Sequence, residues 1–214
     1  MTRNTVRATR SDGQRSRQTI LHAAASLATV EGLDGLSIGS LANHIGMSKS
    51  GLYAHFGSKE ELQLATIETA LAIFYDDVIA PTEGIEEALA RVRALSEGFL
   101  AYLARRVFPG GCFFAAAAAE FDTHPGPVNL RILEVHRDWL RLLEELFTAA
   151  QAAGDIDKTE SPAQLAFELD GHLLMANMVF VLHNDEGALD RARRAIEGRI
   201  AVAAAQPRRS GAPA

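Results

Sequence analysis

Helical periodicity is the feature that most restricts how this chain can fold. From Arg17 to about Ala205, apolar residues recur every three to four positions, and short segments rich in glycine, proline or serine separate the successive runs. Alanine, which has the highest intrinsic helix propensity, recurs throughout the chain, whereas aromatic residues make up only 7% of it. We therefore predict an all-α fold and expect no β-strand.

The interruptions divide the chain into nine predicted helices. Ser37, Ser48 and Ser58 are placed as N-caps, because a serine hydroxyl can accept a hydrogen bond from an unpaired N–H of the first turn. Ser58 is followed three positions later by Glu61, a spacing typical of a capping box. The predicted helices cover residues 17–31, 38–45, 49–56, 59–79, 84–106, 112–121, 128–153, 162–183 and 186–205.

Charge is distributed unevenly along the chain. The net charge is −6, but residues 1–59 carry +4 and residues 60–214 carry −10. A basic N-terminal segment followed by an acidic remainder favours a polyanionic partner at the N-terminal end alone.

Several classes of protein are disfavoured by the sequence. One cysteine cannot form an intrachain disulfide framework or a cysteine-ligated zinc site. The histidines lack metal-motif spacing, and no phosphate loop, Gly-x-Ser-x-Gly or His-Glu-x-x-His motif is present. The N-terminus is polar rather than signal-like, and no apolar run reaches about 18 residues. We expect a cytoplasmic protein that is not an enzyme, needs no cofactor or metal and does not enter a membrane.

The segment from Leu36 to Phe56 carries the functional prediction. Two short predicted helices flank a Gly-Met-Ser turn, in which Gly46 can adopt the left-handed conformation that a sharp corner requires. Leu41, Ile45, Leu52 and Phe56 would form the inner face, while Lys49, Ser50 and Tyr53 would point outward. This pattern predicts a helix-turn-helix whose second helix enters the major groove of DNA. The alternative is an ordinary helical hairpin.

The sequence resembles the TetR/AcrR family of transcriptional regulators over about residues 17–65. The shared features are an Ile-Leu-x-Ala-Ala first helix and a specific set of later residues: Gly32, Leu36–Ile38, Leu41, Ala42, Ile45–Ser48, Leu52, Tyr53, His55, Phe56, Ser58, Lys59 and Leu62. The rest of the chain shares with the family only its helical pattern and approximate length. The resemblance implies a three-helix DNA-binding unit at the N-terminus, joined by a long helix to a C-terminal helical bundle for ligand binding and dimerisation.

The resemblance also implies roles for individual side chains. Lys49 and Ser50 would reach base edges, and five others would contact backbone phosphates: Ser37, Ser48, Tyr53, His55 and Lys59. Gly39 and Gly51 offer no side chain for direct readout. Arg15 and Arg17, at the end of the basic arm, are expected to attract phosphates generally. Two alternatives stay open: the ring of Tyr53 could belong to the core, and His55 could be a half-buried helix-end residue.

Two copies of the helix-turn-helix are expected to bind together, because one copy contacts too few base pairs for useful specificity. Residues 167–182 are apolar nearly all round, so this helix needs neighbours on every side. The resemblance implies a homodimer through the last two helices on a palindromic operator; the alternative is the central helix of a monomeric bundle. The predicted divisions are a flexible basic arm (1–15), a DNA-binding domain (16–60), a ligand-binding and dimerisation domain (61–205) and a disordered tail (206–214).

An effector is implied by the resemblance, and the C-terminal helices offer apolar residues that could line its cavity. For each of these residues the plain-core interpretation is favoured over ligand contact: Phe99, Leu103, Phe113, Phe114, Phe121, Trp139, Leu143, Met175 and Met178. Asp170, His172, Asn177 and Glu120 lie on otherwise apolar helices, so each should be paired, at an interface or facing a pocket. Of these, His172 and Asn177 are the first candidates for ligand contact. Cys112 is expected to be core rather than a redox sensor. The competing hypothesis is a helical carrier or scaffold that does not bind DNA.

Overall fold

The computed structural model describes residues 4–204, with side chains from Ser16 onward, and confirms the all-α prediction. No strand occurs within that range, where the backbone forms nine α-helices. Their bounds are α1 Asn4–Glu31, α2 Ile38–Ile45, α3 Lys49–Tyr53, α4 Lys59–Phe74, α5 Ala88–Ala104, α6 Phe113–Phe121, α7 Pro127–Ala153, α8 Pro162–His183 and α9 Gly187–Ala203. The predicted tail and the side chain of Arg15 lie outside the described residues.

Serine caps fix the starts of α2, α3 and α4, as predicted. The hydroxyl of Ser37 accepts from the N–H of Ser40 at 3.0 Å, and Ser40 returns the bond to form a capping box. Ser58 accepts from the N–H of Glu61 at 3.0 Å, but the Glu61 carboxylate binds the N–H of Gly57 rather than that of Ser58. At α4 the return bond of the predicted capping box is therefore made to Gly57, the residue before the N-cap, instead of to Ser58.

Four helix boundaries differ from the sequence prediction by three residues or more, and one of them is the start of α5, which lies at Ala88 instead of Gly84. Helix α1 begins at Asn4, not Arg17, and no proline interrupts the additional segment. Helix α3 ends at Tyr53 instead of reaching Gly57, since the amides of His55 and Phe56 both bond to the carbonyl of Leu52 in a tight terminal turn. Helix α4 ends at Phe74, and a π-helical turn (Tyr75–Ile79) precedes the 3₁₀ turn that contains Pro81.

The chain forms two compact units that alternate along the sequence. Of the described residues, unit 1 comprises 4–76 and Arg105–His136, and unit 2 comprises Asp77–Ala104 and 137–204. These units are defined by compactness alone. The boundary expected near residue 60, between a DNA-binding and a ligand-binding domain, is a functional division and remains a prediction.

Unit 1 brings residues from its two chain segments into close contact. Helix α1 packs against α2, α4 and α6. Near the C-terminal end of α1, a Cβ atom on Gly110 would lie 1.9 Å from the carbonyl oxygen of Thr29, so only glycine fits at this approach. The N–H of Gly110 donates to the Thr29 hydroxyl at 3.1 Å. A bidentate pair between Arg131 and Glu68 further ties α7 to α4.

Helix α8 is the centre of unit 2, where it packs against α5 and α9. Among the described residues it is the one helix long and apolar enough, by length and hydropathy, to pass for a membrane span, which the sequence analysis did not expect. Its packed face contains the buried polar residues Asp170 and Asn177. A helix that packs against two neighbours and buries polar groups on that face is typical of a protein core.

Candidate nucleic-acid interface

Helices α2 and α3 form the predicted helix-turn-helix. Gly46 ends α2 with a φ of +69°, the left-handed conformation that the corner requires, and the N–H of Met47 bonds to the carbonyl of Ala42 at 3.0 Å. Leu41, Leu52 and Phe56 are fully buried, as predicted for the inner face, whereas Ile45 is only half-buried. The apolar contact under α3 therefore fixes which of its side chains face outward.

The outer face of α3 presents hydroxyls and one cation. Ser48, Lys49, Ser50 and Tyr53 are all exposed. The Tyr53 side chain is 59% exposed, which excludes the alternative that its ring belongs to the core. The Ser48 oxygen caps Gly51 at 3.1 Å and lies 3.3 Å from the Ser50 hydroxyl, so these two groups are held together at the start of the helix.

Gly39 leaves room for the side chain of Lys49. A Cβ atom on Gly39 would lie 3.5 Å from Cε and 3.6 Å from Nζ of Lys49. The lysine therefore extends across the first turn of α2, where a larger residue would compete with it for space. Both distances are ordinary van der Waals contacts, so alanine would fit at position 39 and only a longer side chain would meet Lys49.

Two further predicted contacts lie at the edge of this surface. The guanidinium of Arg17 is exposed and lies 4.9 Å from the centre of the Phe56 ring, a cation–π distance. His55 is half-buried, and its ring centre is 6.2 Å from that of Phe56. Phe56 thus anchors the core while supporting both neighbours.

Lys59 has a partner that the sequence did not reveal. Its ammonium donates to Oδ1 of Asp34 at 2.9 Å, and both side chains are well exposed. The hydrogen bond and the positive charge of Lys59 lower the pKa of Asp34 below its usual value. In the absence of DNA, the cation expected to meet phosphate is therefore already paired with a carboxylate.

The loop that carries Asp34 is held by Glu120 from α6. One carboxylate oxygen of Glu120 accepts from the N–H of Leu33 at 2.7 Å and the other from the N–H of Asp34 at 2.9 Å. Gln63 of α4 donates to the carbonyl of Leu33 at 2.8 Å. Gly32 has a φ of +85°, and a Cβ atom there would lie 2.6 Å from Glu120. A charged residue on an otherwise apolar helix predicts a partner for Glu120, and the structure identifies that partner as the N–H groups of Leu33 and Asp34.

The residues predicted to contact a ligand are distributed over both units. In unit 1, Phe113 is buried and Phe114 half-buried, with ring centres 5.3 Å apart, and Phe114 also packs against Phe74. Cys112 is buried at the start of α6, which fits the expected core role. In unit 2, Phe99, Leu103 and Asn177 are buried, Trp139 and His172 are half-buried, and Met175 and Met178 are exposed on α8. Their role in ligand binding remains a prediction.

Taken with the fold, the exposed face of α3 defines a DNA-binding transcriptional regulator. Residues 20–66 match the profile of bacterial regulatory proteins of the tetR family, and residues 88–196 match the tetracyclin repressor-like C-terminal domain. The chain belongs to the TetR family, whose members are transcriptional regulators rather than enzymes, with a DNA-binding and a ligand-binding domain. The resemblance inferred from residues 17–65 is thereby confirmed.

Individual relatives are consistent with this assignment. The transcriptional regulator AcuR of Cereibacter sphaeroides is 25% identical over 158 residues, which cover 72% of this chain and 71% of AcuR. A TetR transcriptional regulator from Chloroflexus aurantiacus superposes with a TM-score of 0.83 at 25% identity, covering 91% of this chain and 98% of that one. AibR, in a crystal structure with isovaleryl coenzyme A and operator DNA, gives a TM-score of 0.69 at 25% identity and covers 83% and 96% of the two chains.

Proposed function

We propose that this protein is a cytoplasmic, homodimeric repressor that binds a palindromic operator and leaves it when a small apolar ligand binds the C-terminal domain. The observation that carries the proposal is the outer face of α3, where Lys49, Ser50 and Tyr53 project from a helix anchored by buried Leu52 and Phe56. A short helix supported from behind and polar in front fits the major groove.

The exposed side chains divide into two roles. Lys49 and Ser50 lie in the first turn of α3, the part of a recognition helix that meets base edges. Five side chains around them are proposed to contact phosphates, namely Ser37, Ser48, Tyr53, His55 and Lys59. Arg15 and Arg17 add general attraction to the duplex, and Arg17 can do so while its guanidinium lies against Phe56.

Dimerisation through α8 and α9 is supported by an exposed apolar face on α8. One side of this helix packs inside unit 2, while the other exposes Phe167 (68%), Leu182 (73%), Leu174, Met175 and Met178. A contiguous apolar face of this kind on a protein that stays in solution marks a protein–protein interface. On this proposal Met175 and Met178 contact the second subunit rather than the effector.

Ligand-driven release requires the effector to bind one conformation of the dimer better than the other. In unit 2, the buried ring of Phe99 and the half-buried ring of Trp139 favour an apolar effector, with Asn177 and His172 as polar contacts. The AibR structure holds both isovaleryl coenzyme A and operator DNA, which supports binding of a small molecule, though not release by it, in a protein of this fold.

Selection of bound duplexes from random DNA at physiological salt tests the proposal. A dimeric repressor should enrich an inverted repeat whose half-sites lie about one helical turn apart or a multiple of it. The selected duplex should be bound at least about 1,000-fold more tightly than unrelated DNA. A carrier or scaffold would enrich no sequence and would show no salt-sensitive affinity for DNA.

A further inference from the structure

We infer that Glu120 is a positioning residue that weakens DNA binding by holding Asp34 against Lys59. The inference rests on the proposed function, because it concerns the phosphate contact assigned to Lys59. Glu120, Asp34 and Lys59 all belong to unit 1, on α6, the loop between α1 and α2, and the first turn of α4 respectively.

The geometry makes Asp34 dependent on Glu120. An exposed loop residue would ordinarily sample several backbone conformations, but the N–H groups of Leu33 and Asp34 are both held by the two oxygens of one carboxylate. Backbone N–H groups bound by an ionised carboxylate form stronger hydrogen bonds than neutral pairs do. Together with the hydrogen bond from Gln63 to the carbonyl of Leu33, these two bonds hold the loop in the conformation that places Oδ1 of Asp34 2.9 Å from the Lys59 ammonium.

The pairing opposes DNA binding through Lys59 itself. Lys59 must give up or share its hydrogen bond to Asp34 before it can neutralise a phosphate. This effect acts on the DNA backbone and is independent of base sequence. Glu120 therefore sets the strength of binding to every duplex without altering which sequence is preferred.

Glu120→Gln tests the inference with almost no change in shape. A glutamine can accept from one of the two N–H groups but turns its own NH₂ towards the other, so the grip on the loop is lost. We expect the variant to bind both selected and unrelated duplexes more tightly, by up to about fivefold, the range measured for exposed ion pairs. Asp34→Asn should have the same effect, because it removes the competing carboxylate directly.

Two controls separate positioning from charge. Asp122→Asn removes one negative charge from an exposed residue two positions away and should change the affinity much less. Glu120→Asp keeps the charge but is one methylene too short to hold both N–H groups, and it should tighten binding as Glu120→Gln does. In a Lys59→Ala background, neither Glu120 variant should bind more tightly than the Lys59→Ala protein with Asp122→Asn.

A measurement without DNA distinguishes failure of this inference from failure of the proposed function. Amide hydrogen exchange at Leu33 and Asp34 should become faster in Glu120→Gln and Glu120→Asp and stay unchanged in Asp122→Asn. Unchanged exchange in both Glu120 variants overturns the positioning role whatever DNA does. Faster exchange without tighter binding, or tighter binding that persists after Lys59→Ala, overturns the link to Lys59. Absence of any duplex binding by the wild-type protein would overturn the proposed function together with this inference.

Discussion

The indole N–H of Trp139 donates a 2.9 Å hydrogen bond to the carboxylate of Asp170. Asp170 is buried on the packed face of α8, so this bond joins α7 to the centre of unit 2. Trp139 was predicted to line a ligand cavity, and its polar atom is already engaged in holding the unit together.

Replacement of Trp139 by phenylalanine should destabilise the fold. The change removes the donor to a buried carboxylate and leaves space where the larger ring was, at an expected cost of about 1–3 kcal/mol. The midpoint of urea unfolding measures the loss. Leu130→Ala, which truncates an exposed side chain of α7 outside the proposed dimer interface, is the control and should change the midpoint little. Equal midpoints for Trp139→Phe and the wild type would show that the bond contributes nothing.

Protonation of Glu168 should make unit 2 less stable in acid. Hydrogen bonds from Gln164 and Arg199, together with the Arg199 charge, hold its pKa below the ordinary value of 4.5. A carboxyl whose pKa is lowered by folding contributes its stabilisation above the unfolded-state value, and that contribution is lost as the pH falls through the lower folded-state value. Arg199 is also held by Glu160, so the pair is part of a three-residue network.

Glu168→Gln should therefore reduce stability at pH 7 by about 1 kcal/mol and have a smaller effect near pH 3, because the contribution of the wild-type carboxylate declines as the pH falls towards its lowered pKa. Urea unfolding at the two pH values measures the difference. Glu144→Gln, on the exposed face of α7, controls for the change in net charge. A loss that is the same at both pH values would contradict the role of ionisation.

The exposed face of α8 should determine the oligomeric state. Phe167→Glu and Leu182→Glu would each place a charge in the proposed interface, where an unpaired buried charge costs several kcal/mol. We expect light scattering to show a dimer for the wild-type protein at micromolar concentration and monomers for both variants. Val30→Glu, an equally drastic change at an exposed valine of α1, should remain dimeric. A monomeric wild-type protein would refute the interface.

Lys49 and Lys59 should differ in what they contribute to DNA binding. Lys49→Ala should change the preferred base sequence, because this side chain lies in the first turn of α3. Lys59→Ala should weaken binding to all sequences alike and flatten the salt dependence by about one unit. Binding measured against the selected duplex and an unrelated one, at several salt concentrations, separates the roles. Identical behaviour of the two variants would remove the distinction between them.

Local features of this fold could be read from the sequence because local chemistry determines them. The three serine caps and the left-handed turn at Gly46 each depend on neighbouring residues, and α8 begins and ends where periodicity placed it. The failures are instructive in the same way. Helix α3 is shorter than its apolar pattern suggested, because Leu52 and Phe56 are buried even though the backbone changes to a tight turn between them.

The candidate site was predictable only in part, for a reason of distance along the chain. The outward side chains of α3 follow from helix geometry, but Asp34 and Lys59 lie 25 positions apart, and Glu120 lies 86 positions from Asp34. No periodicity connects such residues. Glu120 gave one usable signal, a charged group on an apolar helix, which indicated that a partner must exist without identifying it.

The alternation of the two units along the chain has a consequence for synthesis on the ribosome. The helix-turn-helix (α2 and α3) and helices α1 and α4 are translated first. Gly110, which approaches Thr29, and Glu120, which binds Leu33 and Asp34, come from the later segment Arg105–His136. At about 5–20 residues per second, that segment emerges several seconds after Asp76. A nascent chain released before this segment is made would carry the recognition helix α3 without part of unit 1. Translation must therefore proceed past His136 before unit 1 is complete.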